Sequence, residues 1–304
     1  GTTTFFDLIV AKIGNSSVTF SGNTNLQNNF YVTSGNAVLS SFDFSVNGNT
    51  TVSGGLDFNN TVGIKTFNNI TLNTGSTWSN SGNEDITING NFLSNGTFTS
   101  GSGTYTFSGT IPQTIGGTSS ITYNNLTINN SSLTGVDINT PVDLNGTLTL
   151  TDGILKTTPE NILTMNNGSS STSGSAGSYV NGPMQKTGTS AFIFPIGDYN
   201  NSKRWRPLGI GSSASVNTFK AGYREQVPSN RSTLDGTLKT VSSIEVWRLE
   251  KVSGTSNVPV TLFWEKADES GIDDCANLRI AYWDGSQWAN TFDGNSTTSG
   301  LCTG

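Results

Sequence analysis

The chain carries short runs of alternating apolar and polar residues, and most runs are broken within a few positions by Gly or Asn. Ser17 to Phe20, Thr104 to Phe107 and Thr147 to Leu150 are such runs. Alternation with a period of two is typical of strands that bury one face, and Gly and Asn readily adopt the conformations of tight turns. No sustained helical periodicity occurs in residues 1–175. We therefore predict short strands and frequent turns there, with no helix.

Two phrases recur along this part of the chain. TFFDLIV, TFNNITL and TYNNLTI begin at Thr4, Thr66 and Thr122, which lie 62 and 56 residues apart. The second phrase, an Asn-Gly pair close to apolar residues on both sides, occurs as VNGNTTV, INGNFLS and LNGTLTL. Repetition of this kind is the signature of folds that stack one structural unit many times.

Two repeat architectures fit these phrases. In a parallel β-solenoid, coils of about 20 residues stack about 4.8 Å apart, and their turns form corners. In the alternative, Asn47-Gly48 and Asn145-Gly146 are two-residue hairpin turns of an antiparallel meander. The strands are short and the turns frequent, which favours the solenoid. We therefore predict a parallel β-solenoid for residues 1–175.

The second part of the chain has a different character. Residues 1–175 hold three basic and nine acidic side chains, whereas residues 176–304 hold twelve of each and five of the six tryptophans. A Gly/Ser-rich stretch at 166–178, typical of a linker, separates the two parts. Strict alternation in NVPVTLFWEK and the Asp284-Gly285 turn indicate antiparallel strands. We predict an all-β protein with two domains, the solenoid at 1–175 and an antiparallel β-sandwich at 176–304.

Composition excludes several classes of function. Charged residues make up only 12% of the chain and the net charge is −6, which argues against nucleic acid binding. No apolar run reaches the length of a membrane span. The chain has no His, which removes His general bases and His metal ligands. Because the acids of the first part do not cluster, we predict no enzyme and no cofactor, with a polysaccharide-active β-helix enzyme as an alternative.

The two cysteines, Cys275 and Cys302, are too few for a four-thiolate zinc site. A disulfide between them would stabilise the fold by about 3–4 kcal/mol in the chain-entropy view. Two unpaired buried thiols are the alternative. We predict the disulfide, which implies an oxidising, extracellular setting.

The sequence contains three further candidate sites. Acidic pairs at 84–85, 268–269 and 273–274 would offer oxygen ligands for calcium, although none matches a calcium-binding loop. Trp283, Trp288 and Trp205 are candidates for a glycan-stacking platform, although such residues more often pack a core. Thr-x-Thr triplets are typical of ice-binding solenoids, but in the sequence they are scattered.

One stretch of the chain resembles a known group of proteins. The segment YVNGPMQKTGTSAFIFPIGD from Tyr179, followed by RPLGI from Arg206, resembles large repeat-rich secreted surface proteins of Bacteroidetes. The resemblance covers about residues 120–304, and implies export by the type IX route, adhesin function and a cell-surface location. The sorting domain that usually ends such proteins is not visible after Leu301, so we expect further sequence or another sorting subunit.

The first strand candidate is apolar and lacks a polar cap. Thr3 to Val10 is rich in large side chains, and an exposed strand of this kind recruits another chain. We predict a subunit contact here, with a second copy stacked head to tail or with neighbouring segments of a longer surface protein. The predicted contact residues are Phe5, Phe6, Leu8, Ile9 and Val10. The predicted function is a non-enzymatic extracellular structural or adhesive protein, part of a surface fibre, with a carbohydrate-binding module as an alternative.

Overall fold

The computed structural model describes residues 1–14, 16–200, 202–266, 268–275 and 277–291, and this part of the chain is all-β with no helix. The strands up to residue 188 are β1 (Thr3–Phe5), β2 (Leu8–Ala11), β3 (Ser17–Phe20), β4 (Thr24–Leu26), β5 (Phe30–Ser34), β6 (Asn36–Leu39), β7 (Phe44–Val52), β8 (Gly55–Phe58), β9 (Lys65–Leu72), β10 (Thr77–Ser79), β11 (Ile86–Ile88), β12 (Phe92–Ser94), β13 (Thr97–Thr99), β14 (Thr104–Phe107), β15 (Gln113–Gly117), β16 (Ile121–Tyr123), β17 (Asn125–Asn129), β18 (Val136–Ile138), β19 (Val142–Leu144), β20 (Thr147–Asp152), β21 (Leu155–Lys156), β22 (Leu163–Met165), β23 (Ser170–Ser171), β24 (Val180–Asn181) and β25 (Met184–Gly188). The later strands are β26 (Phe192–Phe194), β27 (Ile196–Asp198), β28 (Arg204–Trp205), β29 (Leu208–Ile210), β30 (Asn217–Arg224), β31 (Val246–Ser253), β32 (Val260–Leu262), β33 (Ala281–Trp283) and β34 (Trp288–Asn290).

The predicted β-solenoid is confirmed, with about nine turns. Each coil visits three faces in the same order, and the two halves of β7 and of β9 serve the first two faces. The first face contains β1, β4, β7, β9, β11, β14, β17, β20 and β23. The second contains β2, β5, β7, β9, β12, β15, β18, β21, β24 and β27. The third contains β3, β6, β8, β10 and β13, followed by β16, β19, β22 and β25.

The Asn-Gly pairs are corners, not hairpins. Val46, just before Asn47-Gly48, pairs in parallel with Phe67 of the next coil. Leu144, just before Asn145-Gly146, pairs in parallel with Met165. The antiparallel alternative is therefore wrong for this part of the chain.

The uneven spacing of the repeated phrases has a geometric cause. Phe67 and Ile70 of TFNNITL lie on the first and second faces, so its two Asn residues turn that corner. Tyr123 and Leu126 of TYNNLTI lie on the third and first faces. Thr4 and Thr66, which begin the first two copies, lie in one first-face row three coils apart. The third copy turns a different corner, so the second interval is not a whole number of coils.

Inward-facing side chains stack in apolar rows along the solenoid axis. Aromatic rings form one continuous stack near the middle of the core, with ring centroids 4.6–6.4 Å apart. The stack contains Phe20, Phe30, Phe44, Phe58, Phe67, Trp78, Phe92, Phe98, Tyr105, Phe107 and Tyr123. Burial of large aromatic side chains contributes much of the hydrophobic stabilisation of a core. One buried ion pair interrupts the rows, where Lys65 lies 2.9 Å from Glu84.

The corner between the first and second faces is held by polar side chains bonded from coil to coil. At four of the five steps of this row, a side-chain oxygen of Asn or Asp accepts the backbone N–H of the residue one coil later, at 2.8–2.9 Å. At the remaining step, Asn69 Nδ2 donates to Asn49 Oδ1 at 3.1 Å. The row contains Asp7, Asn29, Asn49, Asn69, Asn91 and Thr114. We call this row the corner ladder.

Parallel pairing continues beyond residue 175. β24 pairs in parallel with β21, and β25 with β22. The stretch 166–178, predicted as a linker, contains β23 and lies within the ninth coil. The change to antiparallel pairing thus comes later than the predicted boundary, and the division into two domains stays a prediction.

The solenoid ends where antiparallel strands pair with its last parallel strands. β30 pairs antiparallel with β25, and β31 pairs antiparallel with β30. β28 pairs antiparallel with β27. Two smaller antiparallel sheets contain β26, β29 and β32, and β33 with β34. We call residues 199–291 the antiparallel region.

Candidate assembly interface

The first coil leaves one edge of the solenoid open. Among the described residues, β1, β2 and β3 each pair with a strand of the second coil and with no strand on their other side. We call this surface the open edge. Phe6 and Ile9 are 66% and 62% exposed there. A row of unpaired strand groups beside exposed apolar side chains is the kind of surface that recruits another strand.

The five predicted contact residues do not all face solvent. Phe6 and Ile9 point outward, whereas Val10 is buried in the core. Phe5 is 36% exposed and Leu8 is half-buried. Phe5 and Leu8 line an open hollow at the end of the core, which is also lined by Val18 and Phe20. The open edge therefore presents both unpaired backbone groups and apolar side chains that no further coil covers.

The corner ladder also ends at this edge. Asp7 Oδ1 accepts the backbone N–H of Asn29 at 2.8 Å, the same bond that later members of the corner ladder make with the next coil. Among the described residues, no side-chain oxygen of a preceding coil accepts the backbone N–H of Asp7 itself. A further coil with Asn or Asp at this corner would continue the same bonding.

The opposite end of the solenoid is covered by the antiparallel region. Its centre is Arg206, whose guanidinium is fully buried. Arg206 bonds three carboxylates: Nε to Glu245 at 3.3 Å and the two terminal nitrogens to Glu265 at 3.0 Å and Glu269 at 3.2 Å. Tyr223 donates its hydroxyl to Glu245 at 2.6 Å. A buried charge needs such partners because its desolvation is costly.

The electrostatics of this cluster follow from burial and charge together. Burial alone would lower the pKa of Arg206, but Glu245 and Glu269 hold it above its ordinary value. Burial and the hydrogen bond to Glu245 raise the pKa of Tyr223 far above its ordinary range. Partial burial would raise the pKa of Glu269, but bonds from Arg206 and Lys266 keep it below the ordinary value. These pKa shifts favour the charged forms of Arg206 and Glu269 and the protonated hydroxyl of Tyr223 at neutral pH.

Sequence reasoning missed this cluster. Every Arg of the chain lies after residue 200, and the sequence signal was that concentration of charge. The three carboxylates are 39, 59 and 63 residues from Arg206. Alternation along single strands does not predict which distant side chains meet.

The two tryptophans at the centre of the predicted glycan platform, Trp283 and Trp288, do not form a flat aromatic surface. Trp283 and Trp288 face each other across β33 and β34, with ring planes at 64° and centroids 5.9 Å apart. Trp288 donates its Nε1–H to the carbonyl of Ser229. Trp205 donates its own to Ser173 and lies against Gly174. Stacking on a sugar needs an open ring face, and Trp283, 37% exposed, offers the larger candidate area of the central pair.

Members of the first two acidic pairs make structural contacts. Glu84 is buried against Lys65, and Asp85 accepts the backbone N–H of Thr104. Glu269 belongs to the Arg206 cluster. The described residues contain no group of three or more His, Cys, Asp or Glu that could hold a metal ion. The predicted disulfide involves Cys302, which lies outside the described residues, and stays a prediction.

A threonine row on the first face is another feature that the sequence did not reveal. Five threonines of successive coils are paired in register and partly exposed. They are Thr66, Thr87, Thr106, Thr127 and Thr149. The neighbouring outward position is Thr104 in one coil and Asn125 in the next, so the row is single. The triplet at 97–99 lies on the third face.

Comparison with known proteins gives no match to a family model, to a curated protein or to a solved structure. No helix of the described residues is long and apolar enough to cross a membrane.

Proposed function

We propose that this chain is a non-enzymatic structural or adhesive protein that works outside the cell, and that its copies assemble head to tail into a surface fibre. The observation that carries the proposal is the difference between the two ends of the solenoid. One end is covered by antiparallel strands, whereas the open edge exposes three unpaired strands. A contact between unlike ends does not close on itself, so repetition produces a filament.

The open edge is suited to strand addition rather than to solvent. Natural edge strands are usually protected by charges, prolines or bulges. Residues 1–20 contain only two charged side chains, Asp7 and Lys12, and no proline, and the register shift of β2 lies at its end, between Val10 and Ala11. Ile9 is 62% exposed in the middle of β2. A second copy that added a strand here would satisfy the backbone groups and cover this apolar surface.

The backbone of β2 identifies the group that an added strand would use. Leu8 donates its N–H to Asn29, and Lys12 donates to Ser34, both in the second coil. Alternate residues of a parallel strand bond to the same neighbour, so the N–H of Ile9 faces the open edge. Ile9→Pro therefore removes an outward donor and leaves the β2–β5 bonds in place.

Sedimentation velocity over a concentration series and electron microscopy test the proposal. We expect concentration-dependent oligomers and regular fibres from the unaltered chain, and their loss with Ile9→Pro. Ile9→Thr is the matched control, because it keeps the N–H and reduces only the apolar surface. Circular dichroism should show that both variants remain folded. Monodisperse monomers of the unaltered chain at high concentration would overturn the proposal and favour covering of the open edge by neighbouring coils of a longer protein.

Carbohydrate binding and polysaccharide cleavage remain the alternative functions. A glycan array and a panel of polysaccharide substrates address them together. Saturable glycan binding that Trp283→Ala or Trp288→Ala abolishes without unfolding would favour a binding module. Turnover of a polysaccharide would favour an enzyme.

We also propose that the antiparallel region is a β-sandwich. Its support is a shared core: β30 contributes Phe219 and Tyr223, and β29 contributes Leu208 and Ile210. Trp247 of β31 packs against the same core and donates to the carbonyl of Arg206. Two sheets that face a common core are the arrangement of a sandwich.

A further inference from the structure

The direction of β31 suggests which strand meets the open edge. β30 runs antiparallel to β25, and β31 runs antiparallel to β30. Two reversals restore the original direction, so β31 runs parallel to β25 and to the other third-face strands. No strand of the described residues pairs with the outer edge of β31. The third face therefore ends in a strand of the correct direction to continue the parallel stack.

At both ends of this face, inward apolar side chains lack a neighbour on one side. At the open edge, Val18 and Phe20 of β3 are only partly buried against the core. At the other end, Trp247 and Leu249 of β31 are also partly buried against it. Within the solenoid, the next coil places an inward side chain beside each of these positions, as Ala37 lies beside Val18. Each end thus has two apolar side chains, two residues apart, that lack a covering neighbour on one side.

The polar side chains permit the same pairing. Thr19 lies between Val18 and Phe20 and faces outward, and Arg248 lies between Trp247 and Leu249 in the same way. An uncharged threonine beside Arg248 brings no like charge next to it. Glu250 already pairs with Lys220 of β30 at 2.7 Å.

We propose that β31 of one copy pairs in parallel with β3 of the next copy, with Val18 opposite Trp247, Thr19 opposite Arg248 and Phe20 opposite Leu249. The partner of the open edge is then the third-face end of an identical chain, and the sheet continues across the junction. This inference rests on the proposed head-to-tail assembly and specifies its register.

Cysteine cross-linking between two differently substituted copies tests the register. Neighbouring strands lie about 4.8 Å apart, within the Cα separation that a disulfide spans. An equimolar mixture of Thr19→Cys and Arg248→Cys copies is oxidised under assembly conditions. The cross-linked peptide is identified by mass spectrometry, which separates it from any bond of the native cysteines. We expect several-fold more of this product than in either variant alone.

Lys220→Cys provides the matched control. Lys220 lies on β30, one strand further from the junction, where a disulfide to Thr19→Cys is out of reach. Oligomers without an excess of the Thr19–Arg248 product over this control would overturn the β31 junction and leave head-to-tail assembly standing. Self-linked Thr19→Cys dimers would indicate a contact between two open edges and overturn both. The absence of oligomers would overturn the proposed function and the junction with it.

Discussion

In the solenoid, backbone groups at the corners are bonded by single side chains of the preceding coil, most often Asn amides and in places an Asp carboxylate, whereas in the antiparallel region a buried arginine is surrounded by carboxylates. Asn69 illustrates the first arrangement, with one bond to the coil below and one to the coil above. Arg206 illustrates the second, with bonds to three acids from distant parts of the chain.

The difference follows from the geometry of stacking. In a parallel solenoid, each residue lies about 4.8 Å from its equivalents in the adjacent coils. Equal charges at that distance repel, whereas asparagines can bond to one another. Opposite charges can also stack, as Lys65 and Glu84 do in adjacent coils, but that pair holds one cation and one anion. The antiparallel region has no such repetition, so one cation can meet three anions. The solenoid body should therefore respond to changes of shape, and the antiparallel region to changes of charge.

Removal of the central cation should have the largest effect. Within the described part of the chain, Arg206→Met leaves the buried side chain of Glu245 with Tyr223 as its one remaining side-chain partner. Breaking a buried ion pair from one side costs about 3–5 kcal/mol, and we expect a loss of this size in the free energy of unfolding. Urea unfolding followed by tryptophan fluorescence measures it, because five of the six tryptophans lie after residue 200.

An ion pair on the surface provides the control for this substitution. Lys156 lies 3.2 Å from Asp137, and both side chains are partly exposed. Lys156→Met should cost about 0–1 kcal/mol. Equal losses for the two variants would contradict the claim that the Arg206 cluster stabilises the antiparallel region.

A corner glycine should give the next largest effect, this time in the solenoid. A Cβ on Gly48 would lie 2.5 Å from the carbonyl oxygen of Asn28 in the coil below. Overpacking of this kind costs about 1–3 kcal/mol, which we expect for Gly48→Ala. At Gly116 the nearest atom is 3.6 Å away, so Gly116→Ala should be nearly neutral. Thermal unfolding followed by circular dichroism compares the two variants. An unchanged unfolding midpoint for Gly48→Ala would show that the corners are loosely packed.

These two regions also differ in how far the sequence predicts them. Repetition in the sequence reveals the coil, because each coil needs apolar inward residues and turn residues at its corners. The corner positions of Asn47-Gly48 and Asn145-Gly146 follow from that repetition. The number of faces did not follow, because TFNNITL and TYNNLTI look alike although they turn different corners. Coil length varies, so rows such as the threonine row emerge only from the register of neighbouring coils.

The open edge was predicted in part, and its role as an assembly interface stays a proposal. The exposure of Phe6 and Ile9 follows from the apolar first strands and their open edge. The role of β31 did not follow, because its direction depends on two antiparallel pairings that no local pattern specifies. The Arg206 cluster likewise depends on long-range contacts. Local alternation predicts strands, but the pairing of strands is a property of the whole fold.

The smallest expected effect concerns pH, to which the two regions should respond with opposite signs. In the solenoid, burial raises the pKa of Asp57 and of Asp143 above the ordinary value of 3.8. In the antiparallel region, hydrogen bonds from Thr237 and the backbone lower the pKa of Asp235. Bonds from Arg206 and Lys266, acting against burial, lower that of Glu269 below 4.5.

A raised carboxyl pKa means that the folded state disfavours the ionised form, so the solenoid gains stability as the pH falls through the raised values toward 3.8. A lowered pKa contributes stability above the unfolded value, which is lost as the pH falls from about 4.5 through the folded value. Urea unfolding between neutral pH and pH 3, followed by tryptophan fluorescence and by circular dichroism, should therefore show the antiparallel region unfolding earlier while the solenoid persists. Glu269→Gln should weaken this acid sensitivity, at the cost of stability at neutral pH. A parallel shift of both transitions in the same direction would show that the two regions unfold as one unit and that their different chemistry has no separate thermodynamic consequence.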